Sequence, residues 1–333
     1  MNPKFLSTRF LRHTAFALAL GTLGLAFTSS PVNATAPMVK TQAPGFYRTM
    51  LGDFEVTVIS DGTVDLPIDK LLSEPASLTD ATLKKSFLGS PLETSDNAFL
   101  INTGSRLVLV DTGAGTLFGP TLGKLISNLR AAGYAPEQVD DILLTHMHPD
   151  HVGGLVANGQ RVFPNATVHA AEHEAAYWLS KANMDKAPAD SKGFFQGAMA
   201  SVQPYIDAGK FQSFNSNAEI VPGVSSVASP GHTVGHTAYL VQSKGQDLLL
   251  VGDSIHVGSV QFDNPSVTIA FDTDAKEAAD SRAKVFTRAY QDGALVGAAH
   301  LSFPGLGHVN AKGKAWQWIP VNYSTQLDRK SLV

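Results

Sequence analysis

The chain has 333 residues and no cysteine. Disulfides are thereby excluded, and so is thiolate as a nucleophile or metal ligand. Histidine and carboxylate must do any such work. Positive charge is also scarce, with 25 Lys and Arg against 29 Asp and Glu for a net charge of −4. That balance offers no basic footprint for a nucleic-acid backbone, and no such partner is expected. Charged residues make up 16% and hydrophobic ones 44%, an ordinary globular composition in a chain long enough to bury a sizeable core. Internal repeats and charge blocks are missing. So is any apolar run of comfortable membrane-spanning length, because the stretch from Ala15 to Phe27 is too short.

That stretch has another reading. Lys4, Arg9 and Arg12 precede it, and Val32-Asn33-Ala34 follows with small residues suited to a cleavage site. This three-part layout predicts a signal peptide over residues 1–34 and a mature domain over 35–333. The mature domain is then expected to be exported, periplasmic or secreted, and free of the membrane once the leader is removed.

Short apolar or β-branched runs recur at Phe54 to Ile59, Ala98 to Ile101, Leu107 to Val110, Ile142 to Leu144, Thr237 to Val241 and Leu248 to Val251. Each ends in Gly, Asp or Thr and reads as a strand. Several are apolar at consecutive positions, as in a strand covered on both faces. Between them, Leu122, Leu125, Ile126 and Leu129 stand at helical spacing before Gly133, while Ala171 to Ala182 and Ala275 to Tyr290 also read as helices. Pro136 suits a first helical turn. Gly, Pro and Ser between Ala187 and Gly197 suggest a loop carrying Phe194 and Phe195. Strands mixed with helices along the whole length predict an α/β architecture.

The densest chemistry is Thr145-His146-Met147-His148-Pro149-Asp150-His151, directly after the apolar run Ile142-Leu143-Leu144. A strand end presents side chains to a crevice. Alternate residues of an extended segment point the same way, so His146 and His148 converge on one ion. Asp150 and His151, on the turn beyond, are placed to face a second. Imidazole with carboxylate suits zinc and related divalent metals. One cluster cannot complete two sites. His232 in Gly231-His232-Thr233-Val234-Gly235-His236, Asp253 in Gly252-Asp253-Ser254, and His300 after Gly297-Ala298-Ala299 each follow a strand-like run or a Gly-rich turn.

This ordered set, His-x-His-x-Asp-His, Gly-His-Thr-x-Gly-His, Gly-Asp and a late His, resembles the metallo-β-lactamase superfamily. The resemblance implies a four-layer αββα sandwich with two divalent metal ions, zinc by preference, at one edge. It places His146, His148 and His232 on the first metal and Asp150, His151 and His300 on the second, with Asp253 bridging. Asp253 and Asp150 are assigned to the catalytic step. Asp111, in Val110-Asp111-Thr112-Gly113, and His236 are expected to orient ligands. Two divalent ions roughly 3.5–4 Å apart share a water and make it a hydroxide near neutral pH, so no protein nucleophile is needed.

Longer segments narrow the resemblance to the methyl parathion hydrolase family. Among them are Leu117-Phe118-Gly119-Pro120-Thr121, Lys192-Gly193-Phe194-Phe195, His300-Leu301-Ser302-Phe303-Pro304-Gly305 and Pro320-Val321-Asn322-Tyr323-Ser324. An aromatic pocket of Phe118, Trp178 and Phe195 is implied, suited to a flat leaving group. The resemblance also implies a homodimer. Leu71, His256, Ile269 and Phe271 stand where efficient parathion-degrading members carry Arg, Leu, Thr and Leu. A tetrahedral phosphotriester needs more room than a planar lactone. The expected activity is therefore hydrolysis of lactones or aryl esters such as dihydrocoumarin, with promiscuous organophosphate hydrolysis. An efficient organophosphate hydrolase, a β-lactamase and a non-catalytic binding protein are the alternatives.

Overall fold

The computed structural model describes residues 36–215 and 217–327. The leader assigned to residues 1–34 lies outside them. The chain divides into residues 1–41 and 42–333, and the fold belongs to the second part.

Its first sheet holds β1 (Phe46–Leu51), β2 (Phe54–Leu66), β3 (Leu92–Asn102), β4 (Leu107–Val110) and β5 (Asp141–Leu143) in sequence order. A small hairpin of β6 (Val156–Ala157) and β7 (Gln160–Arg161) precedes β8 (Thr167–Ala171) and β9 (Phe211–Phe214), which complete that sheet next to β5. β1 to β4 pair antiparallel, and β4, β5, β8 and β9 pair parallel. The second sheet runs in order through β10 (Glu219–Val221), β11 (Val224–Ala228), β12 (Thr237–Ser243), β13 (Gln246–Leu250), β14 (Leu295–Gly297), β15 (Leu306–Lys312) and β16 (Ala315–Pro320).

The consecutive apolar positions follow from burial on both faces. In β4, Leu107 and Leu109 join the core under the helices Leu125–Ala131 and Lys192–Asp207, while Val108 and Val110 face the second sheet. Along β13, Leu248 and Leu250 meet the first sheet, and Leu249 and the following Val251 meet Val285, Phe286 and Ala289 of the helix Ala275–Asp292. Strand side chains alternate, so two sheets back to back with helices outside make four layers, αββα. Asp274 starts the long helix by accepting the Glu277 N–H at 2.9 Å, a cap that contributes about 1 kcal/mol. Gly293 at φ +63° ends it. No helix among the described residues is long and apolar enough to cross a membrane.

Three local expectations are corrected. Residues 192–197 are not loop but the first turns of Lys192–Asp207. Gly193, Gly197 and Pro204 weaken the helical signal there, yet Ala198, Val202 and Tyr205 form a buried face that holds the helix. The helix expected over Ala171 to Ala182 is broken in two, Glu172–Trp178 and Lys181–Lys186, because Ser180 caps the second piece through the Asn183 N–H. Leu122 precedes the helix that contains Leu125, Ile126 and Leu129.

Candidate metal centre

All seven proposed ligands lie at one edge of the sandwich, on loops that follow strands. After β5, His148 is extended and a one-turn helix, Pro149–Val152, reverses the chain. The ligand atoms of His146, His148 and His232 lie within 4.8 Å of one another, and so do those of Asp150, His151 and His300. Asp253 stands at the centre. The Nε2 atoms of His146, His232 and His300 lie 3.7, 3.3 and 3.1 Å from its Oδ2, and His151 Nε2 lies 3.1 Å from its Oδ1.

Supporting contacts fix several of the rings. The Asp111 carboxylate accepts from His151 Nδ1 at 2.9 Å and from the Thr145 N–H and hydroxyl at 2.8 Å each. Asp111 itself adopts φ +61°, a conformation that Asp tolerates better than most residues. His236 Nδ1 donates to the Ser229 carbonyl at 3.1 Å, which leaves Nε2 to accept the Asp253 N–H at 3.1 Å. His236 thus aims the central carboxylate. Gly252 makes this approach possible, because a Cβ there would meet His236 Nε2 at 2.7 Å.

Several positioning residues carry no sequence signal of their own. Asp272 accepts from His232 Nδ1 at 2.8 Å. Glu174, 1% exposed, accepts from the Met147 and Gly235 N–H groups and the Thr233 hydroxyl at 2.8, 2.9 and 2.7 Å, tying the first histidine segment to the His232 turn. On β3, the Ser95 carbonyl accepts from His300 Nδ1 at 2.9 Å, and the Asn97 amide donates to the Leu301 carbonyl at 2.8 Å. Each lies far in sequence from the ligand it serves, so only the fold reveals it.

The donor set fits two divalent cations. His146 Nε2, His151 Nε2 and Asp253 Oδ1 are buried without a hydrogen-bond partner, which is costly unless a cation takes up these atoms. Three imidazoles on one side, and two imidazoles with a carboxylate on the other, match the preferences of borderline divalent metals.

Without metal the cluster titrates in opposing directions. Burial alone would lower His232 and His300. For His232 the Asp253 and Asp272 carboxylates overcome it, and for His300 Asp253 and Asp150 do, so both are pushed up to about 9. Burial with the neighbouring His232 takes His236 down to about 3, and burial takes His256 to about 4 despite Asp253. A raised pKa stabilises the fold fully below the unfolded value of 6.5, and that stability is lost as pH rises through 9. The lowered groups act oppositely, costing stability as pH falls below 6.5. The metal-free protein is therefore expected to be most thermostable near pH 6.5, with Tm falling on both sides. Zinc loading removes the alkaline fall, because ligands bind deprotonated. Thermal melts across pH with and without chelator check this, and a flat metal-free profile contradicts it.

Besides a cavity of about 550 Å³ that touches His256 and His300, two cavities adjoin the centre. An inner chamber of about 20 Å³ touches His148, Asp150 and Asp253 and is walled by Phe118, Phe194, His256 and Phe271. An outer vestibule of about 680 Å³ is lined by Trp178, Phe195, Phe194 and Phe271, with His148 at its inner end. Of the residues expected to line the pocket, Leu71 and Ile269 line neither cavity. They pack behind, in the cluster of Ile68, Leu72 and Val260, and the Leu71 carbonyl accepts the Ala270 N–H. Phe195 faces the vestibule against Trp178, ring centroids 4.5 Å apart. Its neighbour Phe194 reaches the inner chamber, 5.0 Å from the His148 ring. One step along a helix rotates a side chain by about 100°, which separates the two. Asp61 holds the loop bearing Phe118, accepting the Ala114, Gly123 and Leu125 N–H groups.

Comparison with known proteins agrees with this architecture. An N-acyl homoserine lactonase of Bacillus sp. is 26% identical over 55% of this chain and 69% of its own length. The structure of the hydrolase AbOPH, of the beta lactamase superfamily, superposes with a TM-score of 0.81 at 37% identity, covering 85% of this chain and all of that one. AidC, a dizinc quorum-quenching lactonase in complex with a product, superposes with a TM-score of 0.79 at 27% identity over 84% of this chain and 98% of its own. The family profile described as Metallo-beta-lactamase superfamily matches residues 93–300, more than half of the chain. With that match and the αββα layers that carry the histidines to one edge, the chain belongs to the metallo-β-lactamase superfamily.

Proposed function

We propose that this hydrolase opens lactones, or cleaves aryl esters, at a centre of two divalent cations, zinc by preference. His146, His148 and His232 would hold one cation, and Asp150, His151 and His300 the other, with Asp253 between them. When bound, the cations supply Lewis acidity and activate water. Everything else is the work of the chain. Asp253, aimed by His236, sets the separation of the two ligand groups. The Asp150 carboxylate, 18% exposed against 3% for Asp253, opens onto the inner chamber. It is placed to take the proton from attacking water and return it to the leaving oxygen as the acyl carbon–oxygen bond breaks. Phe118, Phe194 and Phe271 exclude bulk water, and the aromatic vestibule receives the leaving or acyl group.

The observation that carries the lactone reading is the narrow inner chamber. At about 20 Å³ it would admit little more than the reacting carbonyl group of an ester, whereas a phosphotriester carries substituents in every direction. The lactonase relatives support the same reading. The predicted leader proposes export, and a dimer is proposed on resemblance alone.

The test is a pair of kcat/KM values on zinc-loaded protein, for dihydrocoumarin and methyl paraoxon. The lactone is expected to lead by at least about 100-fold, near 2.7 kcal/mol of barrier, and His256→Leu is expected to narrow the ratio. A phosphotriester preference would make the protein an organophosphate hydrolase instead.

A further inference from the structure

His256 is 3% exposed, yet its Nδ1 has no hydrogen-bond partner and its Nε2 meets only the Asp253 carboxylate, without hydrogen-bond alignment. Buried imidazole nitrogens are nearly always satisfied, and a leucine would fill the same wall without that cost. The backbone around the ring holds it in place. Gln261 Oε1 accepts the His256 and Val257 N–H groups at 2.8 and 2.9 Å, and its amide donates to the Val267 carbonyl at 3.0 Å. So anchored, the ring stacks on His300 with centroids 5.0 Å apart and tilts against His232 at 5.1 Å. Its Nε2 stands 3.1 Å from Asp253 Oδ2, as close as that of His300. The ligand atoms of His232, Asp253 and His256 lie within 4.8 Å of one another, a triple distinct from the two already described.

We infer that His256 is an eighth cation-binding side chain, forming with His232 and Asp253 a further coordination position on the shared carboxylate. The inference rests on the two-cation reading of the proposed function. Its chemistry is that of a borderline divalent ion such as zinc or cobalt, since the triple offers two imidazole nitrogens and one carboxylate oxygen. A cation held through His232 then gains an additional imidazole, or an alternative position a short step away. That raises its coordination number and slows its release. It also makes His256 more than a wall of the inner chamber.

Cobalt(II) loading of the whole protein tests this without reference to turnover. Visible absorption and cobalt retention against a competing chelator are measured for the wild type, His256→Leu, His256→Phe and Phe271→Leu. The last replaces another wall residue of the same chamber that has no nitrogen. Metal-free melts show which variants keep the fold. Both His256 variants are expected to lose about tenfold or more in affinity for one cobalt, with stronger absorption from lower coordination. Phe271→Leu is expected to match the wild type in both. If the folded His256 variants keep wild-type retention and spectrum, His256 is only a wall and the inference fails alone. If the wild type itself does not take up two cobalt ions, the two-cation reading fails and carries this inference with it.

Discussion

Replacing Asp253 with Ala will lower kcat/KM for a lactone by about 1000-fold or more, roughly 4 kcal/mol of barrier. Four proposed ligands, His146, His151, His232 and His300, all approach its two oxygens. Burial alone would raise its pKa, but the surrounding histidines, His151 and His300 foremost, hold it well below the usual carboxylate range. Removing it leaves buried imidazoles with no shared anion and two ligand groups with nothing to set their separation. Metal content is expected to fall along with activity. Kinetics at saturating zinc, with elemental analysis, check the result. Activity within tenfold of wild type would mean that the reaction does not occur at this cluster.

Replacing Arg282 with Met will cost about 4 kcal/mol of stability. Arg282 is 1% exposed on the inner face of Ala275–Asp292 and donates to three carbonyls, those of Ser254, Pro265 and Val267. Burial lowers its pKa, with Asp272 opposing that shift. Methionine fills most of the volume but leaves the Ser254 and Pro265 carbonyls without their donor, each costing about 1–3 kcal/mol when unsatisfied, while the Val267 carbonyl keeps only the Gln261 amide. For a domain of this size the melting temperature should fall by roughly 10 °C. Ser254 follows Asp253, and residues 265–267 lead into the segment that carries Phe271, so the folded variant should also show a weakened substrate KM. A Tm change below about 2 °C would show that the arginine clamps nothing that matters to the fold.

How much of the fold is legible in the sequence depends on range. The apolar run at Leu248 to Val251 and the helix from Ala275 are local signals, because the same few residues carry both the pattern and the element. The helix at Lys192 is hidden by its glycines and proline, since it is stabilised by packing against Phe163, Val168 and their neighbours rather than by propensity. Phe194 and Phe195 show the same limit. Their types are visible in the sequence, but which of them reaches the inner chamber depends on a helical phase that a loop does not have.

The sequence alone determined the chemistry available to this protein. Without cysteine, and with His146, His148, Asp150 and His151 packed into one strand end, it commits to imidazole and carboxylate donors, because four such groups within six residues must face a common crevice. Its αββα layers are implied once that motif order is matched to a family. Only the tertiary structure decided which distant groups converge. Asp272 and Ser95 each bond to a ligand from another segment, and Glu174 and Asn97 to residues beside one. His256, three residues beyond Asp253, meets it with its backbone N–H held by the Gln261 side chain. Hydrogen bonds form between neighbours in space, and no spacing along the chain encodes which neighbours two packed sheets will supply.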